Sequence, residues 1–194
     1  GDHRDLHLFP YTTLFRSQRA ALKLALEVGY SSLTTDLIAT RAEISLRTFF
    51  NYYPNKDAAL VGRVMPITEE SKQLFRDSTG TLLDDLFEVM TRQLAAKTID
   101  RDIVAMIGEL LDVSPELLAI FHAPLERLHE EFVALAEERA TSTEKPVLHL
   151  LAHTLTYSVS IAFHAWASDP SITQDQLVVR ARSHVDQLRA LLES

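Results

Sequence analysis

The chain contains no cysteine, which excludes disulfides, thiol chemistry and zinc sites built on thiolates. Only five glycines and seven prolines occur in 194 residues, too few for the many turns of an all-β fold. We find no uninterrupted apolar run of about 18 residues and therefore expect no membrane-spanning helix. The first residues lack the basic region and cleavage site of a secretory signal. The composition predicts a globular, cytoplasmic protein that does not bind membranes.

The net charge of −8 is unevenly distributed along the chain. Residues 18–64 carry six basic and four acidic side chains, a net charge of +2. Residues 65–194 carry eleven basic and twenty-one acidic side chains, a net charge of −10. A mildly basic head on an acidic body is compatible with a polyanion-binding head, although the excess of two charges is small.

The first 17 residues show neither a helical nor a strand period. The run LFPYTTLFRS at 8–17 resembles the translation of a common sequencing-adapter oligonucleotide. We therefore interpret residues 1–17 as a non-native extension and expect them to lie outside the fold; a genuine N-terminal extension is the alternative.

From residue 18 onward the pattern is helical. Apolar spacing predicts short helices at 18–28, 35–42 and 46–52 and a fourth that starts at Lys56. Gly29 suits the positive φ that ends a helix. Thr34, Ser45 and Asn55 each precede a predicted helix and are expected to cap it. Beyond residue 64, five longer helical patterns follow a short segment at 68–77, and Pro124 interrupts one of them.

Two short helices joined by a tight turn at 43–44 have the spacing of a helix-turn-helix unit. The second helix, 46–52, is short and has a polar edge, as entry into a major groove about 12 Å wide requires. We expect Leu46, Arg47, Thr48 and Asn51 to face bases. A guanidinium can bond guanine O6 and N7, and an asparagine amide can bond adenine.

The same region resembles the DNA-binding domain of the TetR/AcrR family of bacterial transcription regulators. The resemblance spans residues 20–64 without a gap and is carried by GY at 29–30, LTTDLIA at 33–39, AEIS at 42–45 and TFFNYYPNKD at 48–57. It implies that Arg47, Thr48 and Asn51 face bases. It also implies phosphate contacts, from Thr35, Tyr52 and Lys56, which agrees with the anion affinity of helix N-termini and lysine.

Two residues depart from the family pattern. Glu43 stands in the turn where the family often has glycine. A left-handed non-glycine residue costs roughly 1–2 kcal/mol, so we expect a turn that is either strained in this way or differently shaped. Phe50 stands where tyrosine is common, which removes a hydroxyl from the region facing DNA. Phe49 and Tyr53, four residues apart, are expected to pack inward.

The resemblance implies an all-α fold of about nine helices. It consists of a three-helix helix-turn-helix domain at 18–64 and a helical-bundle ligand-binding and dimerisation domain at 65–194. The implied protein is a homodimeric repressor, released from a palindromic double-stranded DNA operator by a small, largely apolar effector. Candidate dimer contacts are Leu155, Val159, Trp166, Val185 and Leu188. Candidate effector contacts are Phe87, Met90, Met106, Phe121, Leu125, His153 and Tyr157. Burial in the core of a single protomer is the alternative for both sets.

No catalytic motif is present, and we expect neither an enzyme nor a bound cofactor. The histidines form two pairs, His149 with His153 and His122 with His129, but neither pair has a carboxylate at a recognisable ligand spacing. We therefore predict no metal site. Two alternatives stay open: a helical-bundle enzyme or metal carrier that uses these histidines, and a folded but inactive DNA-binding module.

Overall fold

The computed structural model describes residues 8–64, 66–95 and 99–194, with side chains from residue 13 onward. Within these ranges the chain forms ten α-helices and two 3₁₀ turns and contains no strand, which confirms the all-α prediction. The helices are α1 Leu8–Val28, α2 Thr35–Arg41, α3 Leu46–Tyr52, α4 Lys56–Val61, α5 Glu69–Asp77, α6 Leu82–Ala95, α7 Arg101–Val113, α8 Leu118–Arg139, α9 Lys145–Ser168 and α10 Gln176–Leu192.

The helices divide into two compact units. The first unit combines residues up to Val64 with Asp102–His122, and the second combines 65–101 with 123–194. The sequence-based prediction divided the chain at residue 64 and assigned 102–122 to the second domain. These residues belong to the first unit because Ile103, Leu110 and Leu117 share its core. Their apolar spacing identified a helix without indicating its partner.

Side-chain caps fix the starts of three short helices in the first unit, as predicted. The side-chain oxygens of Thr34, Ser45 and Asn55 accept hydrogen bonds from the backbone N–H groups of Leu37, Thr48 and Ala58 at 3.3, 3.0 and 2.9 Å. Each cap contributes about 1 kcal/mol. Helices of six or seven residues are marginal alone, so the caps and core packing both hold them in place.

The expectation that residues 1–17 lie outside the fold is wrong for 8–17, which form the first half of α1. Leu14 and Phe15 pack against the core of the first unit, and Ser17 is fully buried. Extending an existing helix avoids a new nucleation cost, so a segment without its own periodicity can still be helical. That this segment is a non-native extension stays a hypothesis, and residues 1–7 lie outside the described residues.

Two glycines have backbone conformations that other residues rarely adopt. Gly29 follows α1 with φ +79°, confirming the predicted positive φ. Gly62 ends α4 with φ +77°, and a Cβ placed there would lie 2.5 Å from the side chain of Gln18. That amide is buried and donates to the Leu60 carbonyl at 3.1 Å. α4 therefore ends at Gly62.

In the second unit, α9 and α10 pack along one another around Leu155, Ala162 and Leu177, all fully buried. The side chain of Arg101 contacts the end of α9 and the turn that follows it. The Arg101 guanidinium lies 4.6 Å from the Trp166 ring and donates to the carbonyls of Asp169 and Ile172, each at 2.6 Å. These interactions hold the turn after α9.

α9 also corrects an expectation about membranes. It has 24 residues and contains an 18-residue window with a mean hydropathy of 1.2, long and apolar enough to cross a bilayer. The sequence had been expected to contain no such segment. A third of that window is buried inside the protein. The core helix of a bundle meets the same criterion, so length and hydropathy are weak grounds for a membrane span.

Candidate DNA-binding site

The turn between α2 and α3 is a Schellman motif. The N–H of Ile44 bonds the Ala39 carbonyl at 3.0 Å, and the N–H of Glu43 bonds the Thr40 carbonyl at 3.1 Å. Glu43 has φ +55° and is the only described non-glycine residue with positive φ. The expected left-handed non-glycine residue is therefore present, at the position where a Schellman motif favours glycine.

Arg16 braces this turn from α1. Its Nη2 atom donates to the Ala42 carbonyl at 2.7 Å and to Oε2 of Glu43 at 2.9 Å. Both side chains of the ion pair are more than half exposed, so the ion pair itself contributes at most about 1 kcal/mol. The carbonyl bond anchors the backbone that orients α3. The contacts of Arg16 with this turn were not predicted because Arg16 belongs to the segment interpreted as non-native.

α3 is held by aromatic residues on its inner side. The Phe49 ring is fully buried and meets the Phe50 ring edge-on, with ring centroids 5.4 Å apart. Tyr53 is buried beside it and donates its hydroxyl to the Leu14 carbonyl at 3.2 Å. Burial raises the pKa of Tyr53 to about 12, so its phenol stays protonated. The inward packing predicted for Phe49 and Tyr53 is confirmed.

The four predicted base contacts lie on the outer side of α3. Leu46, Arg47 and Asn51 are exposed, and Thr48 is half-buried. Among the described residues, neither Arg47 nor Asn51 has a hydrogen-bond or ion-pair partner, so their polar groups are free to meet a ligand. The Thr48 hydroxyl lies 2.8 Å from the Ser45 hydroxyl and supports the helix start. Phe50, half exposed, extends the same surface.

The three residues predicted to contact phosphates are half-buried. Thr35 and Tyr52 are half-buried near the ends of α2 and α3. Lys56 donates from Nζ to the carbonyls of Tyr30 and Leu33 at 3.0 and 3.1 Å and lies 4.1 Å from the Tyr30 ring centroid. An ammonium has three donors, so one is left for a phosphate. Lys56 thus fixes the 3₁₀ turn at Tyr30–Ser32, a role that sequence analysis did not foresee.

The neighbourhood of Lys56 is a small polar network. The Tyr30 hydroxyl donates to Oδ1 of Asp57 at 2.7 Å. This hydrogen bond raises the pKa of Tyr30 to about 12. Together with Lys56, it joins the start of α4 to the turn that precedes α2.

The seven predicted effector contacts do not form one cavity. Met106 and Phe121 pack in the core of the first unit, whereas Phe87 and Met90 are buried on α6 in the second. Leu125, His153 and Tyr157 are exposed. The second unit contains a groove of about 490 Å³ between α6 and α10. Residues along it include Phe87, Thr91, Leu94, Val178, Val179 and Arg182. Of the seven candidates, Phe87 alone lines it.

Four of the five predicted dimer contacts are buried within the protomer. Leu155, Val159, Trp166 and Val185 are less than 9 % exposed, which matches the stated alternative, and Leu188 is 42 % exposed. The apolar stripe predicted from the sequence is the face through which α9 and α10 pack against each other within the protomer. A second apolar stripe on α9 faces outward instead, with spacings of three, seven and four residues. It consists of Val147, Leu150, Tyr157 and Ile161, and we call it the outer face of α9.

α2 and α3, joined by a four-residue turn and anchored by the buried Phe49 ring, have the geometry of a helix-turn-helix unit. The comparisons agree. Residues 19–61 match the family model described as bacterial regulatory proteins, tetR family. No curated protein sequence matches the chain.

Two solved structures share the fold over most of the chain. The fatty acid degradation regulator FadR from Bacillus halodurans is 18 % identical, with a TM-score of 0.53, over 88 % of this chain and 93 % of that one. A TetR-family transcriptional regulator from Mesorhizobium loti is 16 % identical, with a TM-score of 0.51, over 92 % and 96 %. The TetR-family resemblance is therefore confirmed: this chain has the TetR-type DNA-binding domain and the all-helical fold of TetR-family regulators.

Proposed function

We propose that the protein is a homodimeric repressor that binds a palindromic operator through α3 and is released by a small, largely apolar effector. The observation that carries the proposal is the outer side of α3, where Arg47 and Asn51 are exposed without intramolecular partners among the described residues. Polar groups left unpaired on a rigid helix suit recognition of base edges. The proposal assigns the protein no catalytic role.

On DNA, Arg47 bonds a guanine edge, Asn51 addresses adenine, and Leu46 and Thr48 contact adjacent bases or methyl groups. Thr35, Tyr52 and the third Nζ donor of Lys56 contact phosphates. The division separates specificity from affinity, because phosphate contacts position the protein without reading sequence.

Two copies are needed because one seven-residue helix contacts little DNA. Dimers of helix-turn-helix proteins bind half-sites about 34–36 Å apart, one helical turn. We propose that the outer face of α9 and Leu188 of α10 form the dimer interface with a second copy. Tyr157 and Leu150, 69 % and 66 % exposed, supply apolar area that water would otherwise cover.

The groove between α6 and α10 is the proposed effector site. Phe87, Leu94, Val178 and Val179 provide apolar walls, and Arg182 provides a cation at the margin. Its volume of about 490 Å³ is within the range of small-molecule sites. An effector relieves repression only if it binds the DNA-competent conformation less tightly than the other conformation.

DNA binding is tested by selecting operators from a random duplex pool and measuring affinity by fluorescence anisotropy at several salt concentrations. Arg47→Ala should weaken operator binding by about 1–3 kcal/mol while leaving random DNA nearly unchanged. Lys56→Ala should weaken both and reduce the salt dependence by about one phosphate contact.

Arg41→Ala is the matched control, since Arg41 is held by Glu27 through hydrogen bonds of 3.0 and 2.8 Å. It should leave operator affinity unchanged. Failure to select any sequence, or an equal loss from Arg47→Ala on operator and random DNA, would contradict the proposal.

A further inference from the structure

A cluster of three imidazoles joins α8 to α9 within the second unit. His129 of α8 is 2 % exposed, and its Nε2 lies 3.1 Å from Nδ1 of His149 on α9. The ring of His153, one turn further along α9, stacks on His129 with centroids 3.8 Å apart. Glu130 completes the cluster, with Oε1 3.9 Å from Nδ1 of His149. One donor atom from each of His129, Glu130 and His149 lies within 4.8 Å of the others.

The hydrogen bonding of this cluster is incomplete. The Nδ1 atom of His129 is buried and has no partner among the described residues. Three imidazoles and one carboxylate meet at this contact between α8 and α9, so a ligand there can be shared by side chains of both helices.

The geometry points to a binding site for one divalent transition-metal ion, held by His129, His149 and Glu130. In a tetrahedral site with bonds of about 2.0–2.1 Å, ligand atoms stand roughly 3.3 Å apart. The two imidazole nitrogens, 3.1 Å apart, are already near this spacing, whereas the Glu130 oxygen lies 3.9 Å from Nδ1 of His149 and has to move closer. Two imidazoles and one carboxylate suit zinc and its neighbours rather than calcium or magnesium, which prefer oxygen ligands.

The simpler reading is a hydrogen bond between two neutral imidazoles, one as donor and one as acceptor. That interpretation gives Glu130 no role, whereas Nδ1 of His129 has no partner among the described residues in either interpretation. In a metal site, both histidines and the carboxylate would be ligands. His153 shields one face of the His129 ring and is not a ligand in this assignment.

Sequence spacing concealed the site because its ligands come from two helices. His149 and His153 share one helix face, which drew attention to that pair, while the actual partner of His149 lies twenty residues earlier. Glu130 is adjacent to His129, a spacing that matches no metal-binding motif. His122 lies outside the cluster and is exposed. The inference does not depend on DNA binding.

The experiment uses the full chain without a histidine tag, stripped of metal with a chelator and titrated with Zn²⁺ by calorimetry. We expect one ion per chain and a raised Tm, because an ion that joins two helices binds the folded state preferentially. Co²⁺ should give the intense visible absorption of a tetrahedral site.

His149→Asn is the informative variant because His149 is only partly buried and its loss should not prevent folding. It should lower Zn²⁺ affinity by about 100-fold or more, since even the loss of an outer-shell partner costs 10–100-fold. His129→Asn should do the same, with its fold checked by circular dichroism. The matched controls His122→Asn and His164→Asn, both at exposed histidines of α8 and α9, should bind as the parent does.

Three outcomes would overturn the inference. They are the absence of stoichiometric binding, unchanged affinity in His149→Asn, and a folded His129→Asn that binds normally while His153→Asn does not. The last would assign binding to the exposed pair on α9 alone.

Discussion

The helix pairs α2–α3 and α9–α10 are stabilised in different ways. α2 and α3 have seven residues each, begin with side-chain caps and leave a polar edge exposed. α9 and α10 have 24 and 17 residues, begin without side-chain caps and bury a long apolar stripe against each other. Short helices depend on their ends because they have few packed residues, whereas long helices depend on their sides.

The surfaces left uncovered differ accordingly. The outer side of α3 presents polar groups with no intramolecular partner among the described residues, and the outer face of α9 presents apolar groups. A polar edge suits a hydrated polyanion, and an apolar face suits another protein surface. In the proposed function, the outer side of α3 recognises DNA and the outer face of α9 contacts a second copy, and this contrast can be tested from both sides.

The largest expected effect is on self-association. Tyr157→Lys places a charge on the outer face of α9 and, in a symmetric dimer, does so twice. We expect the dimer dissociation constant to rise about 100-fold, on the order of 3 kcal/mol, without loss of helicity. Analytical ultracentrifugation measures it. Leu125→Lys, at an exposed leucine of α8, is the control, and an equal effect there would argue against this face.

The next largest effect is expected from a substitution at Gly62, which tests how strongly the stability of the first unit depends on its helix ends. Gly62→Ala should lower the free energy of unfolding by about 2–4 kcal/mol, because it adds backbone strain and a contact with Gln18. Gly29→Ala has a similar φ but meets nothing within 4 Å, so it should cost about 1–2 kcal/mol less. Denaturant titration compares them, and equal losses would remove Gln18 from the explanation.

A smaller effect is expected at the strained turn. Glu43→Gly should stabilise the protein by about 0.5–1 kcal/mol, because relief of the left-handed conformation exceeds the entropy cost of glycine. The gain should increase in an Arg16→Ala background, where the ion pair is already lost. Glu43→Ala keeps the strain and loses the ion pair, so it should destabilise slightly. A stabilising Glu43→Ala would refute the strain argument.

The smallest effect concerns a surface ion pair of the second unit. Arg76 donates to Glu138 at 2.8 Å and lowers the pKa of that carboxyl below 4.5. The stabilisation is therefore fully present above about pH 4.5 and is lost as the pH falls through the lowered pKa. Glu138→Gln should cost at most about 1 kcal/mol at pH 7, since both side chains are over a third exposed, and nothing once the pH is well below the lowered pKa of Glu138. A pH-independent difference would exclude the ion pair as its cause.

Sequence patterns predicted best where structure depends on neighbouring residues. Thr34, Ser45 and Asn55 were identified as caps, Gly29 as a helix end and Glu43 as a left-handed turn residue, because each depends on a few adjacent backbone groups. The outer position of Arg47 and the inner position of Phe49 followed from the period of a single helix. Arg16 was missed because it lies in the segment interpreted as a non-native extension, and its partners Ala42 and Glu43 are distant in sequence.

By itself, the sequence determined the helical class, the capped starts of α2, α3 and α4 and the helix-turn-helix unit, since these depend on interactions within a few residues of the chain. Tertiary structure alone decided which apolar stripe of α9 folds inward, which unit includes 102–122, and which histidine meets His149. An apolar stripe in the sequence shows only that one face of a helix is apolar. Several partner surfaces could bury that face equally well. The choice among them is made by packing between distant segments, and spacing along the chain carries no information about that packing.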